Sequence, residues 1–180
     1  MSNTKTSCEV QLRAAKIPFI GWLAVHYWFA IIEPEQTTRW EIWQTRNTGG
    51  KSWGHLHKNL MPFDRGVGNG ASWLVTTWTG ETAKNLTDLL ENSPDIYPHN
   101  YCYRYVPGPN SNTYVRWILE QANLRCALGR KAIGQSYMHF AGQESGQRFG
   151  IHLGLGHQNI LEKYCTITSC PLLNSAILNN

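Results

Sequence analysis

Two groups of residues have the types and the setting for covalent chemistry. The run Pro107-Gly108-Pro109-Asn110-Ser111-Asn112-Thr113-Tyr114 is a rigid turn that delivers small polar residues onto the first turn of an apolar helix. A helix start offers backbone N–H groups and the positive end of the peptide dipoles, which favour a nucleophile and a developing oxyanion. Ser111 is the candidate nucleophile, with Asn110, Asn112 and Thr113 beside it to bind substrate or the oxyanion. The plainer alternative is that Asn110, Ser111 and Thr113 only cap the helix, the commonest work of such residues there. His26 is the second group, a titratable side chain inside the strongly apolar stretch Val25-His26-Tyr27-Trp28-Phe29. An imidazole held on a strand and partly desolvated suits a general base, although a hydrogen-bonded core histidine would look the same. Glu41, on the next strand, could orient the ring and stabilise its cation. A hairpin centred near Glu35 would instead set His26 opposite Gln44, so the strand register chooses the orienting residue.

These groups need strands and a helix start to hold them. Trp22 to Ile32 reads as a strand, with Leu23, Val25, Tyr27, Phe29 and Ile31 on one face and Trp22, Ala24, His26, Trp28 and Ala30 on the other. Thr38 to Arg46 reads as its antiparallel partner across a short turn at Pro34. Residues 47–70 are rich in Gly and Asn and read as irregular loop, suited to covering a ligand. Ala71 to Trp78 is a third strand. A helix follows from Glu81 to about Asn92, with Ala83, Leu86, Leu89 and Leu90 on one face, and Ser93-Pro94 should end it. Tyr97 to Val106 is expected to be extended. After Asn110 a second helix buries Tyr114, Val115, Ile118, Leu119 and Ala122. From Cys126 onward frequent glycines imply short strands and loops.

The 180 residues suffice for one domain with a real core, with 42% hydrophobic and 16% charged residues excluding a disordered chain. A polar, flexible segment over residues 1–16 and a single globular domain over 17–180 are expected. The formal charge of +4 is spread along the chain, with Arg130-Lys131 the one adjacent basic pair, so no nucleic-acid partner is expected. The apolar stretch from Ile17 to Ile32 is interrupted by Pro18, Gly21 and His26, short of the roughly 20 residues of a membrane helix. Five cysteines and no apolar leader suggest reduced thiols in the cytoplasm, or export without a classical signal peptide; Cys165 and Cys170 are a possible local disulfide pair in the second case. His55 and His57 alternate as a metal pair would but lack a third ligand, so no metal and no cofactor is expected. The glycines of 150–156 lack the strand-to-helix setting of a phosphate cradle. Tryptophans including Trp28 could line a groove for substrate, or simply fill the core.

The string Gly108-Pro109-Asn110-Ser111-Asn112-Thr113, with Ala24-Val25-His26, Arg39-Trp40-Glu41 and Ala132-Ile133-Gly134-Gln135-Ser136-Tyr137, resembles a bacterial family known as domain of unknown function 3750. The likeness spans residues 20 to 140 and carries no established activity. A more distant resemblance is to the circularly permuted papain-like fold of lecithin retinol acyltransferase relatives, where a strand His precedes a polar residue and a helix-opening Asn-Cys. That likeness implies an α+β fold, an antiparallel sheet packed against the helix that starts near Ser111, with Ser111 where the cysteine would stand. A serine needs activation by its base. Cys102, close in sequence to the loop, is the thiol that could substitute, but within its aromatic stretch it reads as buried and inert.

The expected function is hydrolysis or acyl transfer at an amide or ester of a small molecule, peptide or lipid, with Ser111 as nucleophile, His26 as base and Glu41 as orienter. Two alternatives stand beside it: a catalytically inactive module binding a peptide, glycan or lipid in the same cleft, and an exported effector or interaction protein that needs neither His26 nor Ser111.

Overall fold

A computed structural model describes residues 8–19 and 21–139. These form an α+β unit in which a six-stranded antiparallel sheet packs against two helices. The strands are β1 (Glu9–Lys16), β2 (Val25–Ile32), β3 (Thr37–Ile42), β4 (Lys51–Trp53), β5 (Leu56–Lys58) and β6 (Trp73–Thr79), and they lie in the order β4-β5-β3-β2-β1-β6. The helices are α1 (Gly80–Ile96) and α2 (Ser111–Gln121). No described helix is long and apolar enough to cross a membrane.

β2 is central, flanked by β1 and β3, and buried along nearly its whole length. That placement explains why its sequence is apolar on both faces. Val25, Tyr27, Phe29 and Ile31 join Leu12 of β1, Trp40 of β3 and the buried faces of α1 and α2 in one core. The helices contribute Ala83, Leu86 and Leu90 from α1 and Tyr114, Val115, Ile118 and Leu119 from α2. Residues 62–72 hold on to β1, β2 and β3 through polar contacts. Trp28 Nε1 donates to Phe63 O at 2.9 Å, Arg39 Nη1 to Pro62 O at 2.9 Å, and Arg13 Nη2 to Ser72 Oγ at 3.1 Å.

Several expectations are corrected. Residues 9–16 are no flexible tail: β1 bridges β2 and β6, and its alternation of Val10, Leu12 and Ala14 facing the core accounts for it. β2 starts at Val25, leaving Trp22 and Leu23 exposed, and β3 ends at Ile42. Within the expected loop 47–70 lies the β4-β5 hairpin, turned at Gly54, whose φ of +65° and 2.4 Å approach of a would-be Cβ to Asn100 O require glycine. Tyr97 to Val106 forms no strand. Its backbone turns instead, with Cys102 N bonding to His99 O and Arg104 N to Pro109 O. No strand forms over residues 126–139 either, and the glycine-rich 150–156, His152, His157, Cys165 and Cys170 lie outside the described residues.

Helix α1 runs through Pro94 rather than ending before it. Proline at 94 cannot donate to the carbonyl of Leu90, four residues back. Ser93 Oγ donates to that carbonyl at 2.7 Å in its place, and Tyr114 OH, 2.8 Å away, completes the hydroxyl's partners. Ser93→Ala should therefore orphan a buried carbonyl and the Tyr114 hydroxyl, and lower the unfolding free energy by about 1–3 kcal/mol, measured by urea denaturation.

Candidate active site

The register of the β2-β3 hairpin pairs Phe29 with Trp40 and Ala30 with Arg39. Continued one step it sets Trp28 across from Glu41, with His26 diagonal to Glu41 on the same face, a spacing long side chains bridge. The turn is thus centred between Pro34 and Glu35, and this small difference makes Glu41 the imidazole's neighbour. His26 Nε2 lies 2.9 Å from Glu41 Oε2. Gln44 instead accepts from Tyr105 OH at 2.5 Å.

Glu41 is held from behind by Arg39, two residues away on the same strand face. Arg39 Nη2 donates to Glu41 Oε2 at 2.7 Å, and Nε stands 2.7 Å from Oε1 in a close charge contact without hydrogen-bond alignment. Both side chains are fully buried. Burial alone would raise the Glu41 pKa. The His26 hydrogen bond and the Arg39 charge together outweigh it and hold the carboxyl below its ordinary value. Burial in turn lowers the Arg39 pKa, opposed by Glu41, but a guanidinium stays charged. An ionised Glu41 can only accept, so His26 donates to it through Nε2–H, and in the neutral ring Nδ1 is then the unprotonated nitrogen. Nδ1 is the atom that faces Ser111 Oγ, at 2.9 Å. The hydroxyl of Ser111 therefore donates to a nitrogen able to take its proton.

Trp28 completes the support. Its ring stacks on His26 with centroids 5.6 Å apart, and the Arg39 guanidinium carbon sits 4.0 Å from its centroid. Expected among the substrate-binding residues, Trp28 is fully buried and in contact with both the imidazole and the guanidinium. Trp43 meets the imidazole edge-on at 5.8 Å.

At the start of α2, Asn110 Oδ1 accepts from the N–H groups of Asn112 at 3.0 Å and Thr113 at 3.3 Å, while Asn110 N donates to Thr113 Oγ1 at 3.1 Å. This reciprocal cap fixes the helix entry. Thr113 Oγ1 donates onward to Gly134 O, and Asn112 Nδ2 donates to Val25 O and Ile133 O, both at 2.9 Å. The Val25 bond binds the helix start to the residue just before His26 and so sets the distance from Ser111 to the imidazole. Asn110, Asn112 and Thr113, expected to face substrate, are thus buried and occupied as cap and tethers. Within the run from Asn110 to Thr113, the hydroxyl aimed at His26 is that of Ser111.

His55 and His57 are both engaged by neighbouring polar groups. His55 is bonded through Nδ1 to Trp43 O and through Nε2 to Arg46 Nε, and burial lowers its pKa. His57 lies against Thr45 O, Gly49 O and Ser52 Oγ. Among the described residues no cluster of three or more His, Cys, Asp or Glu is placed to hold a metal ion. Arg39 is the site residue that sequence reasoning gave no role. A basic residue two positions before Glu41 on a buried strand was the available signal, since neither charge is tolerated there without the other.

The chain is an α+β protein with a buried Ser-His-Glu-Arg chain of hydrogen bonds at the junction of a helix start and a central strand. Residues 7–137 match the family described as a protein of unknown function (DUF3750), and the chain belongs to that family. No curated protein and no solved structure matches it.

Proposed function

We propose that the protein is a serine-dependent hydrolase or acyltransferase acting on an amide or ester. The observation that carries the reading is the unbroken buried relay from Ser111 Oγ through His26 to Glu41 and Arg39. In the reaction, Ser111 Oγ forms a bond to the carbonyl carbon as its proton passes to His26 Nδ1. Glu41 stabilises the imidazolium, and the helix-start amide of Ser111, which the Asn110 cap does not engage, faces the oxyanion. Collapse breaks the bond to the leaving nitrogen or oxygen, which takes the proton from His26. Water or a second nucleophile then releases the acyl group.

A fluorophosphonate probe tests this. Ser111 Oγ would bond to phosphorus and displace fluoride. Labelling is expected at Ser111 in the intact protein and is expected to disappear in both Ser111→Ala and His26→Ala. Absence of labelling in a folded intact protein would sink the reading. One observation favours a silent binding module instead: Asn110 occupies the amides of Asn112 and Thr113, two donors that an oxyanion would otherwise use. That second reading predicts no labelling at all.

A further inference from the structure

We infer that the cleft at His26 takes an uncharged, apolar acyl group, so that Ser111 acts on neutral esters or amides and discriminates against acyl parts that carry a charge. The inference rests on the proposed role of Ser111 and goes beyond it to substrate class.

The cleft has a volume of about 70 Å³, and its link to Ser111 is His26, which forms part of its wall and stands 2.9 Å from Ser111 Oγ. Ile17, Ile42 and Val67 supply aliphatic surface, and Trp43, Tyr103 and Tyr105 supply aromatic surface. The remaining lining residue among those described is Gln44, tied to Tyr105 OH by a 2.5 Å hydrogen bond. Among the described residues, no acidic or basic side chain apart from His26 itself lines the space. Burial pushes the Tyr103 hydroxyl up to about 12, so it stays protonated and offers no negative charge. The buried charges behind the imidazole, Glu41 and Arg39, are paired with one another and present no counter-charge to a ligand. A carboxylate or ammonium entering the cleft would lose water and find no opposite charge, which is strongly unfavourable, whereas a methylene chain gains from the same surface.

The test compares three phosphonofluoridates whose chains on phosphorus stand where the acyl chain would: a butyl chain, and chains of equal length ending in a carboxylate or a trimethylammonium group. In each, the Ser111 Oγ–P bond forms, the P–F bond breaks and fluoride leaves while His26 takes the proton. The butyl probe should label Ser111 at least tenfold faster than either charged probe. Val67→Lys, at the partly exposed rim of the cleft, should narrow the gap for the carboxylate probe and widen it for the cationic one, with thermal unfolding confirming that the variant folds. Equal labelling by all three, or faster labelling by a charged probe, overturns the inference and leaves the serine chemistry standing. If none labels Ser111, the serine chemistry itself fails and the inference falls with it.

Discussion

Glu41→Gln is expected to lower the unfolding free energy by about 3 kcal/mol, the loss seen when one partner of a buried ion pair is removed, and to reduce Ser111 labelling by roughly 10³–10⁴-fold, as when the orienting acid of a triad becomes an amide. The substitution keeps the volume of a side chain that is fully buried, so no cavity contributes. What changes is donors and charge. In the native site Oε2 accepts from both His26 Nε2 and Arg39 Nη2. A glutamine must turn an NH₂ towards one of these donors. If it faces Arg39, the guanidinium is left with a donor before it and no counter-charge. If it faces His26, the ring must carry its proton on Nδ1, and that nitrogen can then no longer accept from Ser111. Denaturant unfolding reads the first effect and the rate of fluorophosphonate labelling reads the second. A Glu41→Gln protein that labels at the native rate would show that Glu41 has no part in orienting the base.

Much of this arrangement was legible in the residues, and what was missed has identifiable causes. The alternation through Val25 to Ile31, the short turn at Pro34 and the polar run before Tyr114 were strong local signals. They located β2, β3 and the start of α2. The choice between Glu41 and Gln44 was not readable, because register depends on where the turn is centred and a small shift changes the facing side chain. β1 was missed because Glu9, Gln11 and Arg13 made residues 1–16 look like a polar tail. Those residues form the polar face of a strand, where Arg13 Nη1 donates to Gln11 Oε1 at 2.8 Å. The three-residue strands of the β4-β5 hairpin were too short to show a period. Pro94 misled because the compensating hydroxyl of Ser93 acts only through the fold. The polar residues flanking Ser111 illustrate a further limit: type and spacing marked them as special, but only their partners reveal that they serve as cap and tethers.

Arg39→Met is expected to cost about 3–5 kcal/mol at pH 7 by leaving the Glu41 carboxylate buried without its cation, and to reverse the direction in which acid acts on stability through this site. In the native protein Glu41 sits below its ordinary pKa, so its contribution is fully present above the unfolded value of about 4.3 and is lost as pH falls through the folded value. Native stability should therefore decline on acidification below about pH 5, with buried His55 and half-buried His99, whose pKa values desolvation lowers, adding to the decline. Without Arg39, burial dominates and the Glu41 pKa moves up. A carboxyl raised above its unfolded value stabilises at low pH and loses that contribution as pH rises. Between pH 7 and 5 the variant should thus gain stability relative to the native protein. Arg39→Lys separates charge from shape. It keeps a cation for Glu41 and should restore the native direction of the pH response. It lacks the planar fork that also reaches Pro62 O and Arg65 O, so the pinning of residues 62–72 should not recover. Urea unfolding of the three proteins across pH 4–7, with proteolysis of the 62–72 segment as the second readout, checks both halves. If Arg39→Met and the native protein respond to pH in parallel, Arg39 does not control the charge of Glu41, and its role is confined to holding residues 62–72 to the sheet.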